Sequence, residues 1–135
     1  IQEQALTATR KKLSTEHAPE NYTLLLESHT NMSKYAEPDS ISCIVFNFGY
    51  LPGGDHALAT KGETSIQALT QALSLMKKGG MISLCIYSGG DSGFEERDQI
   101  LAWLKELNPH NYLVIKSDYY NRPNHPPIPV LIIKN

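Results

Sequence analysis

The sequence predicts an α/β fold of the doubly wound, Rossmann-like type that ends in an antiparallel pair of strands. Three observations carry this expectation. Helical and apolar segments alternate along the chain, the order that lays helices over a mostly parallel sheet. Segments 41–46 and 81–87 are nearly continuous apolar runs, as strands buried on both faces of a parallel sheet are. The connection 121–127 between the last two apolar runs is too short for a crossover helix, so those strands must be antiparallel.

Taken in order, residues 2–13 read as a helix: Ala5, Leu6, Thr9 and Leu13 share one face. Arg10, Lys11 and Lys12 lie near its carboxyl end, where cations suit the helix dipole. His17-Ala18-Pro19 breaks it. Residues 22–26 read as a short strand ending at Glu27, Ser28 and His29, and a helical turn near 30–36 leads to Pro38-Asp39. The strand 41–46 is followed by a loop over 48–62 rich in glycine and proline. Ile66, Leu69, Leu73 and Met76 mark one face of a helix over 63–78, closed by Gly79-Gly80. The strand 81–87 runs into the turn Ser88-Gly89-Gly90-Asp91. Ser92 and Glu95 form a capping-box pattern for a helix reaching Leu107, with Ile100, Leu101 and Leu104 inward. Residues 112–120 and 128–133 are the final strand pair.

At 135 residues the chain fits one domain, 1–135, with a single core. It is 41% hydrophobic, and no apolar stretch is long enough to cross a membrane. It shows no secretory leader and begins with Ile1, which reads as an N-terminally incomplete domain. Cys43 and Cys85 lie in apolar runs, so both are expected to be small buried hydrophobes that suit a reducing, cytoplasmic compartment. His17, His110 and His125 lack ligand spacing, and no metal site is expected. A net charge of −2 gives no global argument for nucleic acid, so any RNA site must be a local basic patch.

The chemistry collects at strand ends. Asn47-Phe48-Gly49-Tyr50 delivers an amide, bare backbone and a phenol to one point. Tyr87-Ser88-Gly89-Gly90 and Tyr119-Tyr120-Asn121-Arg122 follow two other apolar runs. Open α/β sheets bind ligands at the carboxyl ends of their strands. Rings, amides and a guanidinium on one rim suit a planar, hydrogen-bonding substrate such as a nucleobase. Ser28 and His29 could hydrogen-bond or flank the base of a cofactor, although a helix N-cap beside an exposed histidine is the plainer reading. Asp55 beside His56 could orient an amine or accept a proton, against the plainer reading of two solvated loop residues. Pro123, Pro126 and Pro127 stiffen the last loop. It is expected to wall the RNA site, with Arg122 on a phosphate or base and Asn121 or Asn124 hydrogen-bonding the nucleotide.

Residues 46–55 resemble the FNLGYLPGGD signature of a group of small bacterial methyltransferases, labelled rRNA methylases and associated with tRNA wobble-uridine modification. The match continues through 63–69, Gly79-Gly80, Ile86-Tyr87, Glu95-Glu96 and 121–127, essentially the whole chain. A terminal antiparallel pair on such a sheet is the habit of class I methyltransferases. The resemblance implies methyl transfer from S-adenosylmethionine to the exocyclic amine of 5-aminomethyl-2-thiouridine in a tRNA anticodon. On that reading catalysis falls to Asn47, Tyr50 and Asp55: Asn47, helped by the Phe48 carbonyl, would orient the amine lone pair, Tyr50 would stack on or flank the uracil, and Asp55 would bind the amine's remaining hydrogens or accept its proton. Gln2, Ser28, His29, Asn47 and Gly49 would bind the cofactor. Phe48, Tyr50, His56, Tyr87, Asn121, Arg122 and Asn124 would bind substrate. A homodimer is left open.

Two departures stand out. The family opens with a strand, a glycine-rich cofactor loop and a second strand ending in an acidic residue that holds the cofactor ribose, and this chain starts just past it, near Gln2. In the family's order those strands would lie between the 22–26 and 41–46 strands, so this chain by itself is expected to bind the cofactor weakly or not at all. After Tyr87 the family carries Gly-His, whereas Ser88-Gly89-Gly90-Asp91-Ser92-Gly93 stands here. An rRNA or small-molecule methyltransferase on the same fold, or a non-catalytic RNA-binding fragment, remain as alternatives.

Overall fold

The computed structural model describes residues 2–49, 60–88 and 93–135. Along them run the helix α1 (Glu3–Thr15), the 3-10 helix η1 (His29–Lys34), the strand β1 (Ile41–Phe48) and the helix α2 (Gly62–Leu75). The strand β2 (Met76–Ile86), the helix α3 (Gly93–Lys105) and the strands β3 (Tyr112–Lys116) and β4 (Ile128–Lys134) follow. The sheet order is β1-β2-β4-β3. β1 and β2 are parallel, and β4 is antiparallel to both of its neighbours, as the short 121–127 connection requires. β3 therefore runs in the direction of β1 and β2, and the carboxyl ends of these three strands share one rim.

The core follows the period of two along each strand. Phe46 and Phe48 on β1, Ile82, Leu84 and Ile86 on β2, and Val130 and Ile132 on β4 are buried. They form one cluster with Ala68, Leu69, Ala72 and Leu73 of α2 and Ile100 and Leu104 of α3. The intervening residues lie on the opposite face, where Val45 is 66% exposed and Leu113 50% exposed. Burial of β1 on both faces, expected from its apolar run, is thus corrected: among the described residues the buried face is the one that meets α2 and α3. The same alternation corrects the cysteines. Cys43 is exposed and Cys85 half-buried, because both occupy the opposite face; both thiols are free.

Segment 22–26 is not a strand. Its backbone groups make no ladder among the described residues, and Tyr22, Leu25 and Leu26 are exposed. A strand exists only by pairing, and β1, the edge of this sheet, pairs with β2 alone. α1 forms as its periodicity predicts but buries no residue.

The helix expected over 63–78 ends at Leu75, and Met76 already belongs to β2. Met76 pairs with Ile41 and Met81 with Cys43, so the intervening Lys77–Gly80 stretch bulges out of the ladder. Gly79, with φ of 74°, makes that turn without strain. The expected inward residues Leu69, Leu73 and Met76 are buried, but the face extends to Ser65, Ala68 and Ala72 while Ile66 is half-exposed. Small residues on that stripe let the helix lie close to its neighbours. β3 stops at Lys116; the Ser117 N–H still donates to the Pro129 carbonyl of β4 at 2.9 Å, and residues 118–120 then leave the sheet rather than extend it. The capping-box residue Ser92 lies outside the described residues. Among those described, no helix is long and apolar enough to cross a membrane.

Candidate functional site at the carboxyl rim of the sheet

Alternation along β1 separates two neighbours by role. Phe48 points into the core, 1% exposed, stacked on Phe46 at 5.0 Å between centroids. Asn47 points the other way and is exposed, opposite Cys85 in the ladder. The chain then turns at Gly49, whose φ of 138° suits glycine and strains any residue with a Cβ. A Cβ there would also lie 3.2 Å from the Tyr87 Cβ. Thr60 fixes the turn: its hydroxyl accepts from the Gly49 N–H at 2.8 Å, and its N–H donates to the Gly49 carbonyl at 3.1 Å. Replacing Gly49 by alanine is expected to destabilise the protein by about 1–3 kcal/mol, the cost of a strained backbone residue. Urea unfolding would show it as a lower midpoint at an unchanged slope.

The Tyr87 N–H donates to the Phe48 carbonyl at 3.2 Å, which ties the ends of β1 and β2 together and leaves that carbonyl one lone pair. The Tyr87 hydrogen bond with the Cys85 side chain, then the charge interaction with it, hold the phenol above its ordinary pKa, with Tyr119 adding to the effect. Tyr87 is therefore a neutral hydrogen-bonding ring at the rim near Tyr119. Both are exposed, and Tyr120 is fully exposed.

On the helical side, Ser28 caps η1. Its hydroxyl accepts from the Thr30 N–H at 3.3 Å and shares a 2.8 Å hydrogen bond with the Thr30 hydroxyl. The histidine beside it is not the exposed residue of the plainer reading: His29 is half-buried and meets Phe48 edge-on, with centroids 6.0 Å apart. Burial pushes its imidazole below the ordinary range, opposed by the charge of Glu96 and a hydrogen bond to the Thr64 backbone. A histidine whose folded pKa is depressed binds fewer protons than in the unfolded chain. Its contribution to stability is complete at high pH and is lost as the pH falls through the unfolded value of about 6.5. The loss of melting temperature from pH 7.5 to 5.5 is accordingly expected to be smaller in His29→Gln than in the parent. Equal losses would remove His29 as a cause.

Beneath this corner Glu96 is 3% exposed and accepts from the Ser65 hydroxyl at 2.6 Å. Both stand at the amino-terminal ends of their helices, α3 and α2, where helix dipoles favour an acidic group. The pair locks the two helices beside β1 and β2. Sequence reasoning passed over it, although Glu96 shares the four-residue spacing of the buried Ile100 and Leu104. At the end of β2, Gly93 lets α3 begin against the Ser88 backbone, where a Cβ would come within 2.9 Å. The Ser88 hydroxyl is buried and has no hydrogen-bond partner among the described residues.

Of the expected site residues, Asn47, Phe48, Gly49 and Tyr87 meet at the rim, and His29 joins them through Phe48, on the face away from the Asn47 side chain. Asn121, Arg122 and Asn124 are exposed in the turn after β3, where the Arg122 N–H donates to the Tyr119 carbonyl at 3.1 Å. Gln2 sits at the N-cap of α1, without a side-chain capping bond. Tyr50, Asp55 and His56 lie outside the described residues. The rim offers neutral hydrogen-bonding groups, bare backbone and several exposed rings, which is chemistry for orienting a planar ligand.

Comparisons with known proteins bear on the fold and the family. The family described as "Putative rRNA methylase" matches residues 1–133. A curated relative, the chloroplastic "tRNA (mnm(5)s(2)U34)-methyltransferase" of Arabidopsis thaliana, is 33% identical over 99 residues, 73% of this chain and 36% of the relative. The chain thus spans about a third of that relative's length. A "putative rRNA-methylase" from Clostridium thermocellum superposes with a TM-score of 0.93 at 42% identity, covering 100% of this chain and 72% of that one. A "putative methyltransferase" from Streptococcus mutans, solved in complex with SAH, gives 0.89 at 34% identity, covering 100% and 73%.

Proposed function

Because the chain belongs to the family described as "Putative rRNA methylase", we propose that the protein is an S-adenosylmethionine-dependent methyltransferase acting on RNA. We assign as its target the aminomethyl group of wobble 5-aminomethyl-2-thiouridine in tRNA. The observation that carries the reading is the position of Asn47, exposed at the carboxyl end of β1 beside Gly49 and Tyr87. The curated relative's name supports the tRNA target, and the Streptococcus relative's SAH, the demethylated form of the donor, supports the cofactor.

The residues present suit such a donor. The half-buried His29 imidazole and the Gly49 backbone are neutral groups that would hold its adenosine part, and Ser88 brings a buried hydroxyl that has no partner among the described residues. Gln2 and Ser28 would complete that contact. The bound donor supplies a methyl group on a positive sulfur. The chain's own task is then to present a neutral amine in line, within roughly 3–3.5 Å of that carbon. The Asn47 side-chain carbonyl would accept one amine N–H, the free lone pair of the Phe48 carbonyl a second, and the nitrogen lone pair would be left facing the donor. Tyr50 would flank the uracil, Asp55 would take the proton released as the N–C bond forms, and His56 and Tyr87 would border the base. Asn121, Arg122 and Asn124 would hold the neighbouring nucleotides.

Mass spectrometry of tRNA nucleosides from cells with and without the intact gene tests the assignment. The reading expects 5-aminomethyl-2-thiouridine to accumulate and its methylated form to disappear in the deletion. An unchanged nucleoside profile would exclude this substrate.

A further inference from the structure

A second aromatic cluster stands where α3 begins, beside the loop that follows β3. Phe94, in the first turn of α3, is 42% exposed. The Arg97 guanidinium carbon lies 4.8 Å from its ring centroid, and the His125 ring meets it edge-on, 5.2 Å away at 87°. Arg97 is itself held by Asp98, with Nε 2.8 Å and a terminal nitrogen 2.7 Å from the same carboxyl oxygen. From the loop side, Asn124 and His125 both take left-handed backbone conformations, with φ of 64° and 51°. Two consecutive residues with a Cβ persist in that region only where their surroundings over-determine them. Pro123, Pro126 and Pro127 supply the stiffness, and the result is an imidazole aimed at a ring on another element.

We infer that Phe94, Arg97 and His125 form a stacking platform for an unpaired nucleobase of the RNA. The inference rests on the RNA-methyltransferase reading above. The Phe94 ring has a guanidinium over it and an imidazole perpendicular to it, and it stays 42% exposed. Every base has a face that stacks on such a ring, so the platform takes single-stranded RNA without reading its sequence. The Arg97 charge is matched by Asp98, so Arg97 contributes its plane rather than a phosphate contact. Arg122, which has no ion pair among the described residues, is the group left for a phosphate.

The test is binding of a fluorescein-labelled anticodon stem-loop RNA to the full-length protein at several salt concentrations. Phe94→Leu keeps an apolar side chain but removes the aromatic face, and is expected to weaken binding roughly tenfold or more. The slope of log affinity against log salt should not change. Phe94→Trp should bind like the parent, and His125→Ala, an exposed loop change, should weaken binding severalfold. Arg122→Ala should instead flatten the salt slope by about one phosphate contact. Parental affinity in Phe94→Leu, or equal loss in Phe94→Leu and Phe94→Trp, would overturn the platform while the RNA reading stands. A parent protein that does not bind the RNA at all would overturn that reading and the platform with it.

Discussion

Replacing Asn47 by alanine is expected to lower methyl-transfer turnover by roughly a hundredfold or more, the scale of losing one positioned hydrogen-bonding group at a reacting centre. Affinity for the donor should stay within a few-fold, because Asn47 acts on the amine. The side chain is exposed and lies on the face opposite the core, so its removal leaves Phe46, Phe48 and the α2 contact in place. Steady-state kinetics with parallel calorimetry separates the two quantities. A variant with near-parental turnover would remove Asn47 from the mechanism.

The neighbouring residue should fail in the opposite way. Phe48 is 1% exposed, stacks on Phe46, and carries the edge of His29. Phe48→Ala leaves a cavity where β1, η1 and the helices meet, and losses of about 3–5 kcal/mol are usual for such truncations. It should also release His29 from its half-buried position, so the acid sensitivity assigned to His29 should shrink together with the stability. Urea unfolding of the parent and variant at pH 7.5 and 5.5 measures both. A loss below about 0.5 kcal/mol, the range of an ordinary surface substitution, would contradict the placement of Phe48 as the joint between core and rim.

Much of this arrangement was legible in the chain. The 121–127 connection dictated the antiparallel pair, and Ile100 and Leu104 marked the inner face of α3 correctly. Phe46-Asn47-Phe48-Gly49 announced the rim, because a strand that changes from apolar to amide and glycine must surface there. Other features depended on partners that lie elsewhere in the sequence. Segment 22–26 has the composition of a strand but no ladder to join among the described residues. Met76 reads as the last inward residue of a helix, yet its pairing with Ile41 draws it into β2, and long-range pairing overrides a helical period at such a junction. Apolar runs do not reveal whether one face or both is covered, so Cys43 and Val45 were expected inside and stand outside. Glu96 was masked by its own polarity. A carboxyl group reads as surface until its hydroxyl partner, Ser65, is found on another helix.

The full-length protein would be incubated with S-adenosylmethionine and tRNA carrying 5-aminomethyl-2-thiouridine at the wobble position, and the nucleosides then digested and weighed. The account predicts that this nucleoside gains one methyl group on its exocyclic amine, and that the Asn47→Ala protein leaves it essentially unconverted. If the parent protein leaves it unchanged, or places the methyl group on any other atom, the account is contradicted.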